Sequence, residues 1–227
     1  MGNEQMFCRW LVSTVAATLL FASVGQAQDV VWHETFEDGW QDRWQLRRLA
    51  SRATEFLAST RDGEAVLRVR SQRGAAALVR SVSGDGTPEA ISWRWFLDQA
   101  MDVDPVTMAE ETRREGDDYA ARVFVIFGDD LSDDDTHVLC YVWARQLEPG
   151  TIFPSPVADR VQMVVLRSGY DTVPVWRTER IDPAADYRRI FAAEPPPVGA
   201  IALMSDTDDT DSAAAVLFDD IVVVGAH

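Results

Sequence analysis

Apolar and polar residues alternate along most of this chain in short runs, each closed by a turn rich in glycine or aspartate. Residues 65–70 alternate between Asp62-Gly63 and the 71–74 stretch, and residues 75–82 form a second run ended by Gly84-Asp85-Gly86. Residues 91–97 place Ile91, Trp93, Trp95 and Leu97 on one face and Ser92, Arg94 and Phe96 on the other. Residues 119–127 and 138–144 are almost continuously apolar, the pattern of strands covered on both faces. Runs at 161–166, 173–181, 198–204 and 214–224 complete the set. Residues 106–115 lack apolar periodicity and read as an exposed insert. Residues 183–193 read as a helix, with Asp182 as N-cap, Pro183 in the first turn, and Tyr187, Ile190 and Phe191 on one side. Many short strands with few helices predict an all-β fold, an antiparallel β-sandwich of the jelly-roll kind with one or two short helices.

The first 27 residues have a different pattern. Arg9 precedes an apolar run from Trp10 to Val24, and Gly25-Gln26-Ala27 follows, so the segment reads as a signal peptide cleaved after Ala27. The run is shorter than the roughly 20 apolar residues that span a bilayer. Cys8 precedes the run, which argues against a lipid-anchored start. The expected product is one exported domain, residues 28–227, periplasmic or secreted, with no membrane span.

Charge narrows the partners. The chain has 21 basic and 37 acidic residues, a net charge of −16, and all its basic residues are arginine. Such a surface repels nucleic acid and anionic lipid. The absence of lysine removes Schiff-base chemistry and the phosphate-binding lysine of a P-loop. Cys140 is left alone on an apolar run and reads as a buried small hydrophobe. His33, His137 and His227 are scattered, which argues against a histidine metal centre or triad.

Four features carry candidate chemistry. Arg94 lies between Trp93 and Trp95. Asp117 and Asp118 run into the strand of Arg122, where Asp118 and Arg122 share a face if the strand starts early enough. Tyr141, Trp143 and Arg145 alternate on one face, either as core or as a platform on which a sugar ring stacks. Trp176 and Arg180 form a comparable face, with Glu179 opposite. The fourth feature is acidic: Asp129–Asp135 and Asp206–Asp211 crowd two loops. Asp206, Asp208, Asp209 and Asp211 are the candidate calcium ligands, with pairing to Arg122 or Arg180 as the competing way to balance them. Neither loop has the glycine and distal glutamate of an EF-hand.

Taken in order, Trp93-Arg94-Trp95, residues 117–122, residues 141–144, Trp176 with Glu179-Arg180, Asp186-Tyr187, Asp206-Thr207-Asp208 and Phe218-Asp219-Asp220 resemble the exported bacterial proteins of domain of unknown function family 3047. The resemblance covers roughly residues 34–224. In that family a glycine is common where this chain has Ala192, and an asparagine where it has Asp209. The family implies no activity. Three functions stay open on the sequence. The leading one is binding of a glycan or another polar envelope ligand without turnover, through Arg94, Asp117, Asp118, Arg122, Tyr141, Trp143, Glu179 and Arg180. The second is a polysaccharide hydrolase or lyase with Asp117 or Asp118 and Glu179 as the acid–base pair. The third is an envelope protein-interaction module.

Overall fold

The computed structural model describes residues 29–82, 87–104, 110–128, 136–169 and 174–225. The segment read as a signal peptide, the Asp129–Asp135 loop and the first part of the 106–115 stretch lie outside them. Two sheets face each other. The six-stranded sheet contains β1 (Val30–Glu34), β3 (Glu55–Arg61), β4 (Glu64–Gln72), β6 (Ala90–Gln99), β11 (Arg177–Ile181) and β13 (Ala213–Val224). Its order is β11-β6-β13-β4-β3, with β1 also paired to β13. The seven-stranded sheet has the order β2-β5-β12-β7-β8-β10-β9. Its members are β2 (Gln45–Arg48), β5 (Ala75–Ser81), β7 (Ala121–Phe127), β8 (Val138–Ala144), β9 (Ile152–Pro154), β10 (Val161–Ser168) and β12 (Val198–Asp206). The expected β-sandwich is therefore present. Pairing is antiparallel except between β8 and β10, which run parallel.

The alternation explains the packing. Ile91, Trp93 and Trp95 of β6, Val123 and Val125 of β7, Leu139, Tyr141 and Trp143 of β8, and Val216 and Phe218 of β13 fill the space between the sheets. The aromatic rings meet there, with Trp93 and Trp95 at 5.5 Å, Trp93 and Tyr141 at 5.9 Å, and Trp95 and Trp143 at 5.6 Å between centroids. Each such side chain contributes about 1.5–3 kcal/mol by leaving water.

The predicted helix is α1 (Pro183–Phe191), and the Asp182 carboxylate accepts the Ala185 N–H at 2.9 Å as an N-cap. Its C-cap is Ala192, held at φ 55°, the left-handed region that favours glycine. β13 carries β4 along its first half and β1 along its second, with a register break after Asp219 and Asp220 at φ 49°.

Candidate functional site

The outer face of the seven-stranded sheet holds both a buried charge cluster and an open trough. Residues 122, 124 and 126 of β7 alternate with its core positions, so Arg122 points to this outer face. There its Nε donates to Asp206 Oδ1 at 2.9 Å, its Nη2 reaches Asp206 Oδ2, and its Nη1 donates to Asp117 Oδ1 at 3.4 Å. The guanidinium lies 4.6 Å from the Tyr119 ring centroid.

The 110–120 segment caps this cluster: residues 112–115 are exposed, as expected of the 106–115 insert, whereas Glu111 and residues 116–120 are buried. Glu111 is buried, and its carboxylate accepts the backbone N–H groups of Arg145, Gln146 and Leu147. Gly116 is needed because a Cβ there would collide with the Glu110 carbonyl oxygen. Arg145 donates to the backbone carbonyls of Asp118 and Gly116. Asp118 does not pair with Arg122, because the strand begins at Ala121 and the alternation does not reach back to residue 118. Its Oδ2 instead accepts from the N–H and the hydroxyl of Thr210, both at 2.6 Å.

Asp117, Asp118, Arg122 and Asp206 are thus gathered into one network. Within it, burial raises the Asp206 carboxyl while Arg122 pulls it back, and burial likewise raises Asp117. Burial and the Asp118 charge push Asp209 up to about 6.

For a cation, Asp118, Asp206 and Asp208 offer oxygens within 4.8 Å of one another. Asp211 departs from the expected set and pairs with Arg73 at 2.9 Å. Both Asp206 oxygens face Arg122, and Asp118 is occupied by Thr210, so Arg122 is the partner that balances Asp206. Arg180 is exposed on the other sheet and plays no part in this.

The remaining predicted residues are dispersed. Tyr141 and Trp143 are core, not a platform: Tyr141 donates its hydroxyl to Asp186 at 2.8 Å and Trp143 donates Nε1 to the Gly169 carbonyl at 2.7 Å. Glu179 sits at the inner edge, accepting from Trp95 Nε1 at 3.0 Å and from Arg167 Nε at 2.6 Å. The seven-stranded sheet stands between it and Asp117 and Asp118, so these carboxylates do not form an acid–base pair across a groove. Arg94 lies on the outer face of the six-stranded sheet, ion-paired to Glu64, Asp219 and Asp220, with its guanidinium 4.7 Å from the Trp176 centroid.

Beyond the capped cluster, the outer face of the seven-stranded sheet opens into a trough of about 270 Å³. Ladder partners pave it: Ala77 beside Met204, Val79 beside Ala202, Ala202 beside Phe124, and Ile126 beside Val138. Arg47, Thr136 and Arg160 also line it. Sequence reading missed this site, although the same-parity apolar residues of its almost continuously apolar strands carried the signal. It also missed Glu34, which is buried and receives Arg43, Arg80 and Trp44 Nε1.

No curated protein matches the sequence. Among solved structures, the chain is similar to the family 11 carbohydrate-binding module of a cellulosomal cellulase of Clostridium thermocellum, with a TM-score of 0.47 and 13% identity over 88% of this chain and 95% of that one. It is similar to the CBM22-1 xylan-binding domain of Paenibacillus barcinonensis Xyn10C, with a TM-score of 0.42 and 15% identity over 88% and 98% of the two chains. It is also similar to the K3 cleaved adhesin domain of Lys-gingipain from Porphyromonas gingivalis, with a TM-score of 0.44 and 12% identity over 86% and 99%. A family model matches residues 39–222, the greater part of the sandwich, and the chain belongs to that family, described as a protein of unknown function, DUF3047.

Proposed function

We propose that this chain is an exported, non-catalytic binding domain that takes an extended envelope glycan along the outer face of its seven-stranded sheet. The observation that carries the reading is the trough. Ala77, Val79, Ala202 and Met204 leave a shallow apolar floor, with Arg47 and Thr136 among the residues lining it. Such a floor suits the C–H faces of sugar rings, and the polar side chains suit their hydroxyls. The leader-like residues 1–27 support export, which brings envelope polysaccharides within reach. Among the described residues no helix is long and apolar enough to cross a membrane.

Calorimetric titration of residues 28–227 with neutral and acidic oligosaccharides tests the proposal. Binding is expected, and Val79→Glu, which puts a charge on the trough floor, is expected to abolish it while leaving the circular dichroism spectrum unchanged. Absence of heat with every glycan overturns the reading, and undiminished binding by a folded Val79→Glu variant moves the site elsewhere.

A further inference from the structure

The arginines are unevenly spread. Residues 45–82 carry eight arginines against three acidic residues in a chain whose net charge is −16. These residues form β2 to β5, the basic margin of an otherwise acidic molecule. Four of the eight are ion-paired: Arg61 and Arg68 with Asp98, Arg73 with Asp211 and Arg80 with Glu34. Arg47 donates to the Gln45 side chain. Arg48, Arg52 and Arg70 have no side-chain partner among the described residues.

Two of these three converge on one groove. It has a volume of about 380 Å³ and is lined by Arg52, Ala53, Glu55, Arg70 and Gln72. This volume falls in the usual range of small-ligand clefts, about 300–1,000 Å³. Arg70 and Gln72 point outward from β4, since Leu67, Val69 and Ser71 alternate with them toward the interior. Glu55 is the direct ladder partner of Arg70.

The groove is held by fixed backbone. The Arg52 carbonyl accepts the Ala75 N–H at 3.1 Å, and a Cβ on Gly74 would meet that same carbonyl oxygen at 2.8 Å. Next to it, the Thr54 hydroxyl donates to the Ser205 carbonyl at 2.7 Å. Arg52 and Arg70 are therefore presented from anchored chain, not from a loose loop.

We infer that this groove binds a carboxylate-bearing sugar unit, so that the glycan recognised by the protein is an acidic polysaccharide. The inference rests on the glycan-binding reading and names its substrate class. A guanidinium reads a carboxylate through two parallel N–H bonds, and two unpaired guanidiniums facing one cleft supply that contact. Glu55 and Gln72 beside them suit the hydroxyls that flank a sugar carboxylate. A phosphodiester backbone or a lipid headgroup offers few hydroxyl donors to Glu55. The groove lies on the outer face of the six-stranded sheet, and residues 49–54 lead round the sandwich edge from it to Arg47 on the trough.

The test is calorimetric titration of residues 28–227 with trigalacturonate, with its methyl ester, with a neutral mixed-linked tetrasaccharide and with inorganic phosphate. Trigalacturonate is expected to bind, its ester about tenfold more weakly, and the affinity of the acid to fall as salt is raised. Arg52→Gln and Arg70→Gln are each expected to lose about tenfold toward the acid, against no change for Arg113→Gln on the far acidic segment. Equal affinity for acid and ester, or wild-type affinity in both groove variants, overturns the inference while leaving the glycan reading intact. Phosphate binding as tight as that of trigalacturonate overturns it in favour of a general anion site. No binding of any sugar removes the glycan reading and this inference with it.

Discussion

Arg122 and Asp206 meet in a two-pronged ion pair on the outer face of a sheet, yet both are almost fully buried, because residues 110–120 fold over them. Arg122 stands opposite Met204 in the β7–β12 ladder, so the pair ties neighbouring strands at the point where β12 ends. Asp206 also accepts the Tyr119 N–H at 3.1 Å, and so locks the cap to the sheet. Removing one partner strands the other charge without solvent. Arg122→Gln and Asp206→Asn are each expected to lower stability by about 3–5 kcal/mol in urea unfolding. Replacing both by Met and Leu should recover part of that loss, because the Asp206 charge leaves with its partner, while the buried Asp117 still loses the Arg122 donor. Equal destabilisation by the double variant and the sum of the singles would show that the pair is not coupled.

The same geometry bears on calcium. That ion takes six to eight oxygens, whereas Asp206 gives both of its oxygens to Arg122 and Asp118 is bonded to Thr210. The melting temperature is expected to stay the same with millimolar calcium or with chelator. A specific ion at a hundredfold excess over its Kd would add about 2.7 kcal/mol, which shifts melting by several degrees. A rise of that size with calcium would show that the ion displaces Arg122 or recruits Asp208.

Most of the strands and the helix were legible, since alternation and turn residues are local signals. β8 was delimited to the residue, and Asp182 caps α1 as expected. β1, β2, β3 and β9 went unread because they are short or edge strands whose residues are largely exposed, so no apolar alternation marks them. The site was read less well for a related reason. Trp143 and Arg122 sit on strands of the same sheet, but one parity faces the core and the other the cap, and which is which depends on long-range packing. Arg122 was one of two arginines read as balancing the Asp206–Asp211 loop, but its other partner is Asp117 and not the expected Asp118; the trough was missed because its apolar residues, though on one parity, look the same as core positions.

Glu34 gives the acid limb of stability. Burial alone raises its carboxyl, but the hydrogen bonds from Arg43, Trp44 and the Phe36 N–H outweigh that and hold it below its ordinary value of 4.5. The folded state therefore binds this proton more weakly than the unfolded chain does. Its stabilisation is complete above pH 4.5 and is lost as pH falls through the lower folded value. Glu34→Gln is expected to cost about 3 kcal/mol at pH 7, with the gap to wild type narrowing below pH 4. Urea titrations at pH 3, 5 and 7 read this out, and a gap independent of pH would assign the effect to packing alone.

Ala192 closes α1 in a conformation that suits glycine. With φ 55° and ψ 32°, its Cβ crowds the following backbone, at a cost of roughly 1–2 kcal/mol for an L-residue. Part of the gain from removing that Cβ is returned as extra freedom of the unfolded chain, about 0.4–1 kcal/mol. Ala192→Gly is thus expected to raise stability by about 0.5–1 kcal/mol, a shift of about 1–4 °C in melting. A lower melting temperature would mean that the methyl group makes a packing contact worth more than the strain.

Trp143 separates the core from the ligand site by experiment. Its ring lies 5.6 Å from Trp95, its Nε1 reaches the Gly169 carbonyl, and almost none of it is exposed. A sugar in the trough touches the other face of the sheet, so it cannot stack on this ring. Trp143→Phe keeps an aromatic body but leaves the Gly169 carbonyl without its donor and the neighbouring ring with a smaller partner. Stability is expected to fall by about 2–3 kcal/mol, from the lost hydrogen bond and the lost volume together. Glycan affinity is expected to hold within about twofold, because the floor residues Val79 and Ala202 belong to other strands and keep their places. A folded Trp143→Phe variant with affinity reduced more than tenfold would place the sugar between the sheets, against the packing of the core.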